Sequence, residues 1–192
     1  WQLLKWQISA KLSNKLVNDK DDLILAIATP AAQAVANLTT EIPILVTAVT
    51  DPQSANLVKS NEKPDTNVSG TSDLTPVSAQ ISLLKRIVPN AKTVGLMYCS
   101  SEQNSVFQIE IAKKSCAENG LEFIEGSVSN SNEIQQVTQS LVGKVDAIYI
   151  PTDNMLAAGM ATVAMVANEA KLPVVVGEGG MVASGGLCTY GI

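Results

Sequence analysis

Residues 23–37 read LILAIATPAAQAVAN. An unbroken apolar run, Leu23–Ala28, meets Thr29-Pro30, and an alanine-rich helical pattern starts at once. A short, uninterrupted apolar run suits a strand buried on both faces, the kind found in parallel sheets. Thr is a good cap and Pro a good first residue for the helix that follows. A related unit returns later in the chain. Asp22-Leu-Ile-Leu-Ala-Ile leads through a turn and an Ala-rich helix to TEIP and a strand at Ile44–Thr47. Asp146-Ala-Ile-Tyr-Ile leads through a turn and an Ala-rich helix to AKLP and a strand at Val174–Val176. The pairing reads as two similar α/β lobes, with the general likeness of all βαβ units as the alternative.

Outward from this stretch, runs of period 2 and period 3.6 alternate, which predicts an α/β fold with mostly parallel sheets flanked by helices. Leu12, Leu16 and Val17 form one helical face, Pro30–Leu38 a helix, Ile42–Ala48 a strand, and Asp51-Pro52 a short helical start. Residues 59–73, rich in Asn, Ser, Pro and Gly, read as loop. Helix at Val77–Val88 and strand at Thr93–Tyr98 come next. Asn104 or Ser105 is placed to cap a helix over 106–118, which Gly120 stops. Strand Leu121–Ser127 precedes a helix opened by Asn130 and Glu133 at capping-box spacing and closed by Gly143. Strand Val145–Ile150, helix Met155–Ala170 and strand Val174–Gly177 complete the pattern.

Composition narrows the chemistry. The chain has 192 residues, 46% hydrophobic, with a formal net charge of −5. That balance speaks against nucleic acid or an anionic membrane as partner, since both call for basic patches. The absence of histidine removes Ser-His-Asp and Cys-His catalysis and the usual zinc sites. Cys99, Cys116 and Cys188 are far apart in sequence and read as free, mostly buried thiols. No apolar run approaches the roughly 20 residues of a membrane helix. Neither nucleotide-binding glycine motif is present, so no cofactor is expected. GEGG and SGG read as glycine turns without strand-to-helix context.

Ligands of open α/β sheets bind beyond the carboxyl ends of the strands. The residues there are Thr29, Pro30, Ala31 and Ala32; Thr50 and Asp51; Asn104 and Ser105; Asp153 and Asn154; and Glu178. The turn at Thr29-Pro30 offers the amides of Ala31 and Ala32 to an anion, and a carboxylate suits it. Asp51, Asp73, Asp153 and Glu178 are candidate partners for an ammonium, so together they describe a zwitterion site. Each has a structural alternative: Asp51 and Asp153 as helix caps, Asp73 as a solvated loop residue, Glu178 as an exposed turn residue. No paired carboxylates, nucleophile elbow or metal triad is visible, which predicts a binding protein rather than an enzyme.

Six blocks in order, LILAIATPAAQAVAN, IPILVTAVTDPQSANLVKS, NVSGTSD, VPNAKTVGLMYCSSEQNS, LVGKVDAIYIPTDN and VANEAKLPVVVGEGG, resemble the substrate-binding proteins of ABC transporters, specifically the tryptophan/tyrosine group. The resemblance runs from about Ser9 to Ile192 and implies a type 1 periplasmic-binding-protein fold, two lobes joined by three crossing strands that close on a ligand by hinge bending. On that basis residues 1–90 are a first lobe lacking its N-terminal β-α-β, 91–187 a second lobe, and 188–192 a strand crossing back. It further implies an extracytoplasmic protein, often a lipoprotein, that hands an aromatic amino acid to a permease. Thr29, Ala31 and Ala32 would receive the carboxylate; Asp153 and Asn154, with Asp73 or Glu178, would face the ammonium; Asn104 and Ser105 would close from the second lobe. Residues 1–8, WQLLKWQI, do not resemble the family, and no lipobox cysteine is present, so membrane contact would run through an anchor absent from this chain. Exposed strand edges in an incomplete lobe would favour dimers. Two rival readings are a small-molecule sensor or regulator of the same fold and an α/β enzyme acting on a small acid.

Overall fold

The computed structural model describes residues 11–191, so the unfamiliar opening WQLLKWQI lies outside the described residues. The chain divides into two compact units, Trp1–Leu74 and Thr75–Ile192.

In the first unit, residues 11–18 are helical (α1). They are followed by β1 (Ile24–Ile27), α2 (Thr29–Ala36), β2 (Ile44–Val49) and β3 (Val68–Ser72). The three strands form one parallel sheet in the order β1-β2-β3. The core is Ile24, Ala26, Ile44, Val46 and Val68 on one sheet face, with Ala32 and Val35 of α2, Leu16 and Val17 of α1, and Ala55, Leu57 and Val58 of the following loop against it. Both helices and that loop thus pack on the same side. On β1 the residues alternate, and Leu25 and Ile27 are 61% and 59% exposed. The expectation of a strand buried on both faces is corrected: the run is continuous in sequence but packed on one face only. Leu12, expected on the buried face of α1, is exposed, and Ser13 is buried in its place.

β3 lies within the stretch read as loop. Only Val68 of its five residues is buried, so period 2 leaves no trace in VSGTS. Its place is set instead by main-chain pairing with β2 and by Asn67, whose Nδ2 donates to Thr39 O (3.1 Å) and Ile42 O (2.8 Å). Gly70 has φ +156°, and a Cβ there would run into the carbonyl of Val46.

The second unit holds a four-stranded parallel sheet in the order β5-β4-β6-β7. Its elements are α3 (Val77–Ile87), β4 (Thr93–Cys99), α4 (Gln103–Glu118), β5 (Glu122–Val128), a 3-10 turn at Ser131–Glu133, α5 (Ile134–Leu141), β6 (Ala147–Ile150), α6 (Asn154–Ala158), α7 (Met160–Glu169), β7 (Val174–Val176) and α8 (Gly179–Ala183). Alternation along the strands sends Val94, Leu96, Ala147, Tyr149 and Val175 to one face, under α3 and α4. Met97, Cys99, Ile148, Ile150, Val174 and Val176 face α5, α6, α7 and α8. This sheet is covered on both sides, as is usual for parallel sheets and unlike the sheet of the first unit.

Three expectations are corrected here. Val77, Ile81 and Leu84 of α3 pack into the core beneath β4 and β6, so α3 belongs with the second unit and the boundary falls at 74/75 instead of near residue 90. The helix expected over Met155–Ala170 breaks at Gly159, where a Cβ would strike Ile134 Cδ1. GEGG does lie between a strand and a helix, β7 and α8. The final segment runs beside β7, where Val176 N donates to Cys188 O at 3.0 Å and Leu187 N to Val174 O at 2.8 Å.

Gly70→Ala tests the close approach of β3 to β2. We expect it to destabilise the first unit by about 2 kcal/mol or more, through lost pairing and a disfavoured φ. Urea denaturation followed by far-UV circular dichroism measures the loss.

Candidate functional site

The first unit's strand ends carry unusual backbone. Ala28 is the cap residue of α2, with φ 73° and ψ 151° and no side-chain capping bond. That conformation is normally left to glycine and costs on the order of 1–3 kcal/mol. It turns the chain so abruptly that α2 starts at Thr29, one residue earlier than expected. Thr29 is therefore not the cap, and its side chain is buried. Ala32 N donates to Ala28 O at 3.0 Å, so its amide is not available to a ligand as expected. Pro30 has no N–H, which leaves the amides of Thr29 and Ala31 as those without an intrahelical acceptor. The first turn carries no acidic residue to compete for them.

Near the end of β2, Ala48 also has a positive φ, 53°, where the β2–β3 register shifts. Thr50 is buried beyond it, and its carbonyl accepts from Ser72 Oγ at 2.6 Å. Asp51 closes a turn where a short helix was expected: Oδ1 accepts from Ser54 N and Oδ2 from Asn61 Nδ2. Asp73, just after β3, differs. Its N–H donates to Val49 O at 3.1 Å, yet its Oδ1 is buried and has no hydrogen-bond partner. Burial pushes this carboxyl above its ordinary pKa.

In the second unit the loops after β4 and β6 are stitched together by two buried carboxylates. Asp153 is 3% exposed and caps α6, accepting Leu156 N at 2.7 Å. Its other oxygen accepts Cys99 N at 2.6 Å, and the Ser105 hydroxyl also bonds to it. Glu102, 7% exposed, caps α4 by position. Oε1 accepts Met155 N at 2.9 Å, and Oε2 accepts Asn154 N at 3.0 Å and Asn154 Nδ2 at 2.7 Å. The ion pairs among the described residues lie elsewhere, so these two charges meet only main-chain, amide and hydroxyl donors. Burial, with Glu102 second, raises Asp153 to about 6.

Asn104 stands between them. Nδ2 donates to Thr152 O at 3.1 Å, with Glu102 Oε2 and Ser105 Oγ each at 3.3 Å. Its Oδ1 is buried without a partner. Gln108, one helical turn on, donates from Nε2 to Asn104 O, Thr152 O and Thr152 Oγ1. Gly177, after β7, approaches Pro151 and Thr152 so closely that a Cβ would overlap their main chain.

Of the expected second-unit residues, Asp153, Asn154, Ser105 and Asn104 do converge. The geometry corrects what three of them face. Asp153 and Ser105 bond to each other, Asp153 also accepts from the Cys99 and Leu156 amides, Ser105 accepts from Asn104 Nδ2, and Asn154 points at Glu102. Neither Asn104 nor Ser105 caps α4 through its side chain. Glu178 is the cap of α8, accepting Gly180 N at 2.6 Å and Met181 N at 2.8 Å. Glu102, Gln108 and Thr152 are hydrogen-bonding neighbours of these candidates that sequence reasoning did not single out. The signal for them was present: a lone acidic residue at a helix start, and Asn104 and Gln108 at i, i+4 spacing.

Against known proteins, the profile of ABC transporter substrate binding proteins matches residues 5–192. The chain belongs to the ABC transporter substrate binding protein family. It is 48% identical over 181 residues to a tyrosine-binding protein of Clostridioides difficile, covering 94% of this chain and 52% of that one. The chain thus spans about half the length of this relative. Among solved structures it is similar to an ABC domain in complex with L-Trp from Streptococcus pneumonia, at 40% identity and TM-score 0.93, covering 96% of this chain and 65% of that one. A leucine-binding protein from Thermotoga maritima, 17% identical with TM-score 0.70 over 95% of this chain and 53% of its own, shares the fold alone, the type 1 periplasmic-binding-protein fold. Among the described residues, no helix is long and apolar enough to cross a membrane.

The stability linkage of Asp153 has a definite sign. Its folded pKa, about 6, exceeds the unfolded value of about 3.9. Its contribution is complete below about pH 4 and is lost as pH rises through about 6. Asp146 and Glu125, held below the ordinary range by the Lys92 and Thr93 amides and by Lys113, act in the opposite sense on the acid side. We expect urea-denaturation stability to fall by about 1.4 kcal/mol between pH 5 and pH 7.5, and Asp153→Asn to flatten that slope. A slope unchanged in the variant counts against Asp153 as its source.

Proposed function

We propose that the protein is the solute-binding component of an ABC importer and takes an aromatic amino acid, tyrosine or tryptophan. The observation that carries this reading is a buried acceptor left without a donor at the carboxyl ends of the strands in each unit: Asp73 Oδ1 in the first and Asn104 Oδ1 in the second. A buried, unsatisfied acceptor costs about 1–3 kcal/mol, which a ligand ammonium recovers. The first unit by itself offers both poles of a zwitterion: the amides of Thr29 and Ala31 for the carboxylate, with small Pro30 and Ala32 beside them, and Asp73 for the ammonium. The second unit, by itself, offers the Asn104 Oδ1 acceptor, with Asp153, Asn154 and Ser105 around it. The relatives' ligands, tyrosine and L-Trp, supply the aromatic class. In keeping with the family, the protein works outside the cytoplasm and delivers its ligand to a permease.

The test is a thermal-shift and calorimetric panel of the twenty amino acids, benzoate and common sugars on the full-length protein. Tyrosine, tryptophan or phenylalanine should stabilise it, by about 2.7 kcal/mol at a hundredfold excess over Kd. Asp73→Asn should weaken binding at least tenfold, about 1.4 kcal/mol. A shift with sugars and none with aromatic amino acids overturns the reading.

A further inference from the structure

We infer that Glu102 sets ligand specificity by fixing the orientation of the Asn104 amide, so that the second unit presents a carbonyl oxygen and selects ligands bearing an N–H donor over analogues that lack one. The inference rests on the amino-acid-binding reading above and assigns its discrimination to particular atoms.

An asparagine amide can point either way, and its neighbours decide. Around Asn104 they decide firmly. Thr152 O is a carbonyl and Glu102 a carboxylate, and neither can donate when Glu102 is ionised. Turned over, the amide would set its oxygen against both and strand two NH donors. Each of those acceptors is itself fixed. Three donors from Asn154 and Met155 hold Glu102, and Gln108 Nε2 reaches Thr152 O at 3.1 Å and Thr152 Oγ1 at 2.7 Å. Asn104 is only 4% exposed, so water does not freely satisfy the oxygen that remains.

That oxygen is an acceptor awaiting a donor, and its surroundings favour a positive one. Glu102 and Asp153 are both carboxylates, buried close by and without a cationic partner among the described residues. A ligand carboxylate placed there would meet acceptors on every side. A ligand with no group there would leave the carbonyl unsatisfied, and discrimination by such missing hydrogen bonds is steep.

The experiment compares L-tyrosine with 3-(4-hydroxyphenyl)propanoate, which keeps the ring and the carboxylate and lacks the amine. Calorimetry on the full-length protein gives the ratio of the two Kd values for the wild type, Glu102→Gln and Asn104→Leu. The wild type should prefer tyrosine at least tenfold. In Glu102→Gln the new amide meets the Asn154 and Met155 N–H groups, Asn104 keeps only Thr152 O of its two orienting acceptors, and the preference should fall sharply. Asn104→Leu removes the acceptor, leaves Glu102 its three donors from Asn154 and Met155, and should collapse the preference, which guards against a Glu102 variant that folds poorly. A merely structural role would weaken both ligands in proportion, and an unchanged ratio in Asn104→Leu overturns the inference. If the wild type binds neither this pair nor L-tryptophan and 3-(indol-3-yl)propanoate, the amino-acid reading falls and the inference falls with it. If it binds both equally well, the aromatic ligand class stands and only the inference fails.

Discussion

Two carboxylates buried without a cation, Glu102 and Asp153, hold the end of β4 to the end of β6. Taking a charge out of water is expensive unless the protein replaces the lost hydrogen bonds. Here the replacements are main-chain N–H groups at loop ends: Cys99 and Leu156 on Asp153, Asn154 and Met155 on Glu102. Those amides would themselves be orphans at the starts of α6 and the β4–α4 turn. The exchange is mutual, and it explains why the loops hold a definite shape despite their polar, non-hydrophobic composition. Burial still exceeds what the donors return at Asp153, so its pKa lies above the usual range. Some of this unit's stability is spent holding a polar surface in place.

The first unit reaches a similar end by different means. Its described residues hold no buried carboxylate pair. Its strand ends are shaped by backbone: positive φ at Ala28 and Ala48, and a register shift between Val46 and Val49. Non-glycine residues in such conformations persist only where packing over-determines them. The packing here comes from Ala32 and Val35 above Ile24 and Val46. The strain has a local consequence, since it brings α2 up against the end of β1 with small side chains and bare amides at the junction. One unit therefore offers donors from its main chain; the other offers an acceptor from a locked amide.

The alternation of strand and helix was legible because it rests on periodicity. β4, β6 and β7 are apolar enough to be found, and α3 and α5 carry clear stripes, Val77-Ile81-Leu84 and Ile134-Leu141. β3 was not legible because its pairing is made by main chain, with one apolar side chain in five residues. α8 was hidden by two glycines, which argue for a turn until Glu178 is seen to bond two of its amides. Assigning α3 to its unit needed tertiary contacts, since its stripe says that it packs and not on what.

The candidate site divides along the same line. That polar residues gather at the strand ends follows from topology, and the sequence order alone places Asn104 and Asp153 there. What each residue faces does not follow. An aspartate one residue before a helix can cap it or wait for a ligand, and the letters are identical in both cases. Asp153, Glu178 and Asp51 have their oxygens engaged by amides. Asp73 and Asn104 each keep one oxygen unengaged. The distinction lies in which neighbours supply donors, and that depends on loops brought together by the fold. A residue type nominates a site; the count of satisfied lone pairs decides which members can still receive a ligand.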